Sequence, residues 1–348
     1  MILHFKLRSL ALTETFILEQ FKAIPEKNLV FAYLFKAEDE RQTQAKIWCF
    51  GPGSYLLKFF DFTSEISLIH VHFGSNAIFA LPLLIRFSVP MIISFYGHDA
   101  SSFLLKWPHL IRFVCRYASK ILVLTKTMSQ NLIDLGVDSR KIEVFHPGIP
   151  DLKIPKRHKR DDGPLRLLMA SSLREKKNHR LVLRALSGLG NKKVELRIAG
   201  TGPLDEELKV LAHQLNLNVE FTGAFVSDEE RQNHFLWADV LLHPSRAAKD
   251  GDSEGLPFLI LEAMQAGLPV ITSRHAGMDL EFLDSCFYVS ESDENDLSKL
   301  ISDWDWNLAC EKIEKAKHLI KVRFSQDKNL KHLRKIYKSL AANLVLPD

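Results

Sequence analysis

Short apolar runs separated by helix-length segments recur along the whole chain, and this pattern constrains the fold more than any other feature. Most of the runs lack alternation of apolar and polar residues, which is typical of parallel strands covered on both faces. The pattern predicts an α/β protein with two doubly wound, Rossmann-like domains. The runs are ILHFKL, LVFAYLF, AKIWCF, SLIHVHF, PMIISFY, KILVLT and KIEVFH in the first half, and LRLLMASS, VELRIAG, VEFTG, DVLLHPS, LPVITSR and CFYVS in the second.

The segment GIPDLKIPKRHKRDDGP separates the two halves and is rich in proline, glycine and charge. Its composition is typical of an interdomain linker. We therefore predict an N-terminal domain over 1–152 and a C-terminal domain over 163–326, facing each other across a cleft. Ligands of such sheets bind at the carboxyl ends of the strands. The final stretch, FSQDKNLKHLRKIYKSLAANL, has the apolar spacing of a helix with basic outer residues.

Composition excludes several classes of protein. Of the 348 residues, 46% are hydrophobic and 25% are charged, as in ordinary globular proteins. The net charge of +4 fits an anionic small ligand or an acidic membrane surface, and is too small to indicate a nucleic-acid partner. The four cysteines follow no metal-ligand spacing, which favours free thiols in a reducing compartment.

The N-terminus begins with a strand-like run and has no signal-peptide layout. The most apolar window, residues 77–95, contains Pro82, Arg86 and Pro90, so a helix followed by a buried strand suits it better than a membrane span. We expect a cytoplasmic protein.

The stretch EGLPFLILEAMQAGLPV contains two carboxylates, Glu254 and Glu262, with apolar residues at nearly all positions between them. A buried carboxylate is costly unless something pairs with it. Pro257 suits the first turn of a helix that would run to about Gln265 and stop at Gly267.

Such a helix would present free backbone amides at its start, and an anion would be attracted to them. Glu262 lies too deep in the helix to cap it and could accept hydrogen bonds from a ribose diol, while Glu254 could face a sugar. The alternative is that neighbouring backbone, Arg or Lys satisfies both carboxylates. The amides are those of Gly255, Leu256 and Phe258.

Two strand–loop junctions could complete a phosphate site. RIAGTGP ends a strand with Gly200 and Gly202, which would let backbone approach a ligand, although a tight turn also requires glycine. SSLREKKNH supplies Arg174, Lys176 and Lys177, of which one could neutralise a diphosphate. A charge run of this kind is more often a solvated helix start.

The first half offers further candidates. His70 and His72 lie on the same face of a strand, a spacing that could bind a metal. No acidic or cysteine partner is evident near them, so we predict core histidines and no metal. Thr13 and Glu14 follow the first strand, where a loop would face the cleft, or else they cap a helix.

The segment SSFLLKWPHLIRFVCRYASK mixes large apolar side chains with basic ones. Basic amphipathic segments lie on anionic membrane surfaces. A core helix whose basic residues extend their heads into solvent has the same pattern, so both interpretations stay open.

Taken in order, these segments resemble the retaining glycosyltransferases of family 4, which have the GT-B fold. The E-x7-E pattern in its EGLP context is the most specific part of the resemblance, and the HPS…DGD lead-in is similar to the colanic-acid and amylovoran branch that builds bacterial exopolysaccharide and capsule. The other matching segments are TETF, IHVHFG, SFYGHDAS, VLTKTMSQNLIDLGV, HPGI, the EKKN turn, RIAGTGPL and VEFTG.

The resemblance implies a UDP- or GDP-sugar donor in the C-terminal domain and a glycan or undecaprenyl-linked acceptor in the N-terminal domain, without a metal or other cofactor. It also implies that the last helix, about 327–348, returns to the first domain. Peripheral contact with the anionic inner membrane would suit a lipid-linked acceptor. The residues it implies are Glu262 for the ribose, Glu254 for the donor sugar, Lys177 and the amides from Gly255 to Phe258 for the diphosphate, and Gly200 and Gly202 for the nucleotide wall.

The chain departs from the family pattern at three positions. Ser172 replaces an arginine, for which Arg174 is the candidate substitute, and Asn178 replaces a glycine. The family's H-G-x-D histidine falls at Tyr96, and we favour His98, two residues on, as the residue near the donor sugar. Asp99 is an acceptor-side candidate, or else His98 and Asp99 form a turn after a buried strand, with His98 bonded to Asp99 or to a carbonyl.

The leading hypothesis is therefore a hexosyltransferase that uses a nucleoside-diphosphate sugar. A GT-B epimerase would need further acid/base residues and a phosphorylase would need a cofactor lysine, and neither set is recognisable. The remaining alternative is a catalytically degenerate nucleotide-sugar-binding subunit of a polysaccharide assembly complex. The three departures support that alternative, but the presence of Glu254, Glu262 and Lys177 is stronger evidence against it.

Overall fold

The computed structural model of the chain describes residues 1–11, 14–37, 43, 45–49, 65–152, 163–189, 193–225 and 227–347. Thr13 and residues 153–162 of the linker therefore lie outside the described residues. The chain divides into two compact units. The first is Met1–Pro150 with Arg323–Asp348, and the second is Asp151–Val322. The second unit therefore starts earlier than the predicted residue 163, and it ends shortly before the predicted residue 326.

Within the described residues, the first unit contains a parallel sheet whose strands, numbered β1 to β7 in chain order, are Ile2–Arg8, Leu29–Phe35, Lys46–Cys49, Leu68–His72, Met91–Phe95, Lys120–Val123 and Ile142–Val144. Their order across the sheet is β3-β2-β1-β4-β5-β6-β7. The order reverses between β1 and β4, which is the topology of a doubly wound sheet. All five residues of β4 and of β5 are buried, in agreement with their continuous apolar runs.

Helices connect these strands. The apolar window 77–95 forms a helix and then the buried strand β5, as predicted. Among the described residues, every helix is too short or too polar to cross a membrane. The helices of the first unit are Thr15–Phe21, Ala77–Phe87, Ser102–Lys106, Pro108–Tyr117, Lys126–Asp134 and Gln326–Leu340.

The helix Gln326–Leu340 packs within the first unit, which confirms that the chain returns there. Tyr337 is fully buried, and its hydroxyl lies 2.7 Å from Nδ1 of His70 on β4. Leu330, Leu333 and Ile336 are also buried, so one apolar stripe of this helix joins the core of the first unit.

The second unit contains a parallel sheet whose strands, β8 to β13, are Leu165–Ala170, Val194–Ala199, Val219–Phe221, Val240–His243, Val270–Ser273 and Phe287–Val289. Their order across the sheet is β10-β9-β8-β11-β12-β13, which again reverses in the middle. Its helices are His179–Ser187, Asp205–Gln214, Asp228–Trp237, Phe258–Gln265, Met278–Phe282, Glu294–Ser302 and Trp306–Leu319. Loops that follow β8, β11 and β12 lie at the same edge of the sheet, because parallel strands have their carboxyl ends at one edge.

Candidate functional site

The two glutamates of the EGLP segment flank the start of one helix. The helix runs from Phe258 to Gln265, so the predicted end holds, but Pro257 is the residue before the helix rather than part of its first turn. Both glutamate side chains are buried, with 8% of each residue exposed. Glu254 therefore belongs to the loop before the helix, and Glu262 to its second turn.

Glu254 is the centre of a buried polar cluster. Its Oε1 lies 2.6 Å from the ammonium nitrogen of Lys177 and accepts a hydrogen bond from the Ser245 hydroxyl at 3.2 Å. Burial, the largest single effect, would raise the pKa of Glu254. The positive charge of Lys177, together with smaller contributions from His243, Lys176 and the Lys177 hydrogen bond, outweighs burial, and the pKa falls to about 2. Glu254 is thus a carboxylate at neutral pH, and Lys177 is its counter-ion.

The EKK turn does more than place Lys177. Each of its three side chains binds a different residue of the segment 246–254, and the backbone amide of Arg246 also donates to the carbonyl of Lys176 at 2.9 Å. The alternative of a solvated charge run is therefore wrong. The three pairs are Glu175 with Arg246 at 2.9 Å, Lys176 with Asp252 at 3.0 Å, and Lys177 with Glu254 at 2.6 Å.

Asn178 has a left-handed backbone, with φ 59° and ψ 36°. Asparagine tolerates this region better than other side chains except glycine, which explains why it can stand where the family has glycine. Its amide also donates to the carbonyl of Glu291 at 2.9 Å. Ser172 and Arg174 are both exposed, and Arg174 has an extended backbone directly before the EKK turn.

Glu262 is paired with an arginine that sequence reasoning missed. Nη1 of Arg231 lies 3.0 Å from Oε1 of Glu262, and Nη2 of Arg231 lies 3.0 Å from Oδ1 of Asp228. Burial raises the pKa of Glu262 to about 7, against the opposing effect of Arg231. The structure therefore supports the alternative for both glutamates, since each is paired with a basic side chain of the protein. The one available signal was a single arginine in the acidic helix start SDEER.

Gly200 and Gly202 are required by backbone packing. A Cβ on Gly200 would lie 1.9 Å from the carbonyl oxygen of Ser171, and one on Gly202 would lie 2.6 Å from that of Leu173. The amide of Leu173 donates to the carbonyl of Thr201 at 2.9 Å, so the loops after β8 and β9 touch along their backbones. A tight approach of two loops explains both glycines, and a role in a nucleotide wall stays a prediction.

Two histidines that sequence reasoning did not single out complete the cluster. His243, the last residue of β11, has its Nε2 3.5 Å from the Lys177 ammonium, and burial lowers its pKa to about 3. His275, just after β12, accepts a hydrogen bond at Nε2 from the Glu254 amide at 3.4 Å. Its Nδ1 lies 3.2 Å from the carboxylate of Glu291. The available signal was that HPS and SRHAG each follow a buried strand.

In the first unit, His98 and Asp99 have different surroundings. His98 is exposed, whereas Asp99 is fully buried and accepts three backbone hydrogen bonds. Its Oδ1 accepts from Tyr96 and Gly97 at 3.0 Å each, and its Oδ2 accepts from Gly74 at 2.7 Å. Asp99 therefore fixes two loops through their amides rather than bonding to His98, and a role for either residue toward substrate stays a prediction.

Glu14 and Tyr96 are both engaged within the first unit. Glu14 pairs with Lys6 at 2.8 Å and accepts from the amide of Ala11 at 2.8 Å. The Tyr96 hydroxyl lies 2.7 Å from Nδ1 of His72, and burial raises its pKa. Tyr96 is thus a core residue, and His98 is the one of the two that solvent reaches.

Three buried histidines meet in the first unit, because His4 on β1 joins the predicted pair. One nitrogen from each lies within 4.8 Å of the others. These nitrogens are already hydrogen-bonded: His4 to His72 at 2.7 Å, and His70 to the hydroxyls of Tyr337 and Ser94 at 2.7 Å each. Burial lowers the pKa of all three. These contacts support the interpretation as neutral core histidines.

Family models match both halves of the chain. Residues 44–151 match the family model described as Glycosyltransferase Family 4, and residues 151–321 match that of Glycosyl transferases group 1. Both models describe glycosyltransferases, and together they span residues 44–321. The chain belongs to the glycosyltransferases with the GT-B fold. HepE from Anabaena, solved in complex with UDP-glucose, superposes on this chain with a TM-score of 0.81 at 18% identity, over 97% of this chain and 99% of that one. Sucrose-phosphate synthase from Thermosynechococcus elongatus superposes with a TM-score of 0.81 at 14% identity, over 99% of both chains. At these identities the likeness concerns the fold alone.

Two curated relatives of this glycosyltransferase act in polysaccharide pathways according to their names. The amylovoran biosynthesis glycosyltransferase AmsK of Erwinia amylovora is 31% identical over 224 residues, which are 62% of this chain and 55% of the relative. The putative colanic acid biosynthesis glycosyltransferase WcaL of Escherichia coli K12 is 29% identical over 271 residues, which are 73% of this chain and 66% of the relative. The chain thus matches less than two thirds of the length of either relative.

Proposed function

We propose that the chain transfers a hexose from a UDP- or GDP-sugar to a glycan or undecaprenyl-linked acceptor, with retention, in the cytoplasmic stage of bacterial surface polysaccharide synthesis. The observation that carries this proposal is the buried pair of Lys177 and Glu254 at the start of the helix Phe258–Gln265. A cation, a carboxylate and backbone amides meet there, and a sugar diphosphate requires all three.

In this proposal the donor is held by the second unit. Lys177 and the amides from Gly255 to Phe258 bind the diphosphate, because an ammonium group and a helix N-terminus both attract anions. Glu254 accepts hydrogen bonds from the hexose hydroxyls. Arg231 holds Oε1 of Glu262, so the ribose diol donates to the other oxygen.

The reaction breaks the bond between the sugar C1 and the leaving phosphate oxygen and forms a bond from C1 to the acceptor oxygen on the same face. The acceptor proton passes to the leaving phosphate, so the step requires no base from the protein. Lys177 balances the negative charge that develops on the leaving phosphate. In this proposal the diphosphate site therefore needs no metal ion. His98, exposed in the first unit, is the proposed contact to the donor sugar, and the first unit binds the acceptor.

The comparisons support the pathway and the donor class. AmsK and WcaL carry names from amylovoran and colanic acid synthesis, and the structure of HepE contains UDP-glucose. The alternative of a catalytically degenerate subunit is less well supported, since Lys177, Glu254 and Glu262 are present and ordered around one helix, and the departure at Asn178 is accommodated by its backbone.

The test is a thermal-shift screen against UDP-, GDP-, ADP- and dTDP-sugars, followed by a turnover assay with the donor that binds. A ligand that binds the folded state raises the melting temperature once it exceeds its Kd. We expect one nucleotide class to give a shift that Glu262→Ala removes and that Glu207→Ala, an exposed glutamate of the same unit, leaves intact. If the wild type binds the donor as well as Glu254→Gln does, and neither protein shows turnover, the degenerate subunit would be favoured. No shift with any donor would contradict a nucleotide-sugar site.

A further inference from the structure

Four loops of the second unit are joined to one another through side chains. They follow β8, β11, β12 and β13, which are adjacent strands of the sheet. Lys177 pairs with Glu254 at 2.6 Å, and the Glu254 amide donates to Nε2 of His275 at 3.4 Å. Nδ1 of His275 lies 3.2 Å from the Glu291 carboxylate, and the side-chain amide of Asn178 donates to the Glu291 carbonyl at 2.9 Å. Because Lys177 and Asn178 are neighbours in the sequence, these contacts form a closed ring, called the four-loop ring below.

The side chain of Asn178 has a partner that its position in the fold does not require. Asn178 directly precedes the helix His179–Ser187, where asparagine often accepts a hydrogen bond from the first turn. The Asn178 side chain makes no such bond, and its amide donates to Glu291 instead. The residue is buried, and glycine would suit its left-handed backbone at least as well. The backbone conformation therefore does not explain the side chain.

The four-loop ring holds Glu254 at two points. Lys177 binds its carboxylate directly, and His275 accepts from its backbone amide. Glu291 determines the second contact, because a carboxylate that accepts from Nδ1 of the ring leaves Nε2 as the acceptor. The Glu291 side chain is 47% exposed, so the hydrogen bond from Asn178 to its backbone limits where that carboxylate can move.

We propose that Asn178 is a positioning residue for Glu254, because its amide closes the four-loop ring and fixes the Glu254 loop against Lys177. This inference rests on the proposed function, in which Glu254 binds the donor hexose. Lys177 and the helix amides hold the diphosphate without help from Asn178. Loss of the Asn178 amide therefore disturbs the placement of the hexose more than the affinity for the donor, and a small displacement of a reacting group is costly for the rate.

The first variant is Asn178→Gly, which removes the amide and still permits the left-handed backbone. We expect turnover at neutral pH and saturating donor to fall about tenfold, as for other residues that orient a reacting group through an intermediary. The Kd of the donor should stay close to that of wild type. Asn216 is exposed and has a similar φ of 52°, so Asn216→Gly is the matched control and should leave turnover unchanged. Asn178→Ala adds backbone strain, so it should melt at a lower temperature than Asn178→Gly with a similar loss of turnover.

The pH dependence of turnover separates positioning from stability. Burial lowers the pKa of His275, whereas the negative charges of Glu291 and Glu254 raise it, and Lys176 lowers it. When Asn178→Gly releases Glu291, part of the raising effect is lost, and His275 is protonated only at a lower pH. The variant should thus be slower than wild type near neutral pH and yet lose a smaller share of its turnover as the pH falls. Glu291→Gln, which removes the same charge, should shift the acid-side decline in the same direction.

An NMR titration of the histidine rings tests the four-loop ring without donor or turnover. The signal that His275→Gln removes is that of His275, and its midpoint should be lower in Asn178→Gly than in wild type. An unchanged midpoint would overturn the inference, and so would wild-type turnover in Asn178→Gly. If wild type binds no donor, the proposed function fails, whereas the midpoint still decides whether Asn178 holds Glu291 against His275.

Discussion

The ammonium of Lys177 and the carboxylate of Glu254 lie 2.6 Å apart, and both side chains are largely buried. The pair connects the loops that follow β8 and β11, which are adjacent strands of one parallel sheet. A diphosphate bound at the start of the helix Phe258–Gln265 would share Lys177 with Glu254. The strength of this pair therefore affects both the stability of the second unit and its affinity for the donor.

Replacement of Lys177 by Met should leave the Glu254 carboxylate buried without its counter-ion. We expect the free energy of unfolding to fall by about 3–5 kcal/mol, as for other broken buried pairs. Adding Glu254→Gln should restore much of that stability but none of the turnover, because neither charge is then available to the donor. Chemical denaturation and a turnover assay measure the two effects. In the exposed pair of Arg180 and Glu207, the same two changes should alter stability little. A double variant no more stable than Lys177→Met would contradict the pairing.

Donor affinity should depend on pH through Glu262. Burial raises its pKa to about 7, so the carboxylate that accepts from a ribose diol forms only as the pH rises through 7. We expect the Kd of the donor to decrease between about pH 6 and pH 8, and Glu262→Gln to remove that change, as measured by titration calorimetry. Arg231→Ala should move the transition to higher pH, since Arg231 opposes the effect of burial. An unchanged pH profile in Glu262→Gln would assign the titration to another group.

The same pKa has a consequence for folding. Since the pKa of Glu262 is higher in the folded state than its ordinary 4.5, the stability it contributes is full below pH 4.5 and is lost as the pH rises through 7. The free energy of unfolding should therefore fall over this interval in wild type, and fall less in Glu262→Gln. Denaturant titrations at several pH values provide the comparison.

The fold could be predicted from the sequence because buried parallel strands are encoded locally. Strands such as Leu68–His72 and Met91–Phe95 are continuous apolar runs, and all their residues are buried. The position of Glu254 before a helix and of Glu262 inside it followed from Pro257 and from helical geometry. The error of one position at Pro257 arose because proline suits both the first turn and the residue before it.

The partners of the two glutamates could not be predicted, because they come from distant parts of the sequence. Arg231 reaches Glu262 from another helix, and His275 reaches the Glu254 amide from the loop after β12. The local signals, an arginine in the acidic helix start SDEER and a histidine after a buried strand, do not indicate which distant residue each one contacts. The surroundings of Asp99 were not predictable either: the sequence offered it as an acceptor-side candidate or as part of a turn with His98, and in the structure it is buried and accepts hydrogen bonds from three backbone amides.

Gly202 and Gly188 should respond differently to the same substitution. A Cβ on Gly202 would lie 2.6 Å from a backbone oxygen, so Gly202→Ala should cost about 1–3 kcal/mol of stability as the loops after β8 and β9 move apart. A Cβ on Gly188 would meet its nearest atoms at 3.5 Å, and its φ of −86° suits alanine, so Gly188→Ala should be neutral or slightly stabilising. Thermal or denaturant unfolding distinguishes the two. Equal effects would mean that loop contact does not explain Gly202.

His275 should act as a positioning residue for Glu254. Its Nε2 accepts the Glu254 amide at 3.4 Å, and Glu291 holds its other nitrogen at 3.2 Å, which orients the ring. Removal of the acceptor in His275→Ala frees the loop before the helix Phe258–Gln265, so we expect turnover to fall about 10–100-fold, as for other residues that orient a reacting group through one intermediary. His275→Gln, whose amide oxygen reaches the place of Nε2, should recover part of this activity.

The pH dependence separates positioning by His275 from simple packing. Burial lowers the pKa of His275 below 6.5, so the stability it contributes is present above 6.5 and is lost as the pH falls through the lower folded value. Protonation converts Nε2 from an acceptor to a donor, so that two N–H groups would face each other and the hydrogen bond from the Glu254 amide would be lost. At saturating donor, where the pH dependence of donor binding through Glu262 no longer limits the rate, wild-type turnover should therefore decline on the acid side. His275→Gln, which cannot be protonated there, should lack that decline. If His275→Ala and His275→Gln lose activity equally and keep the wild-type pH profile, the ring serves only to fill space.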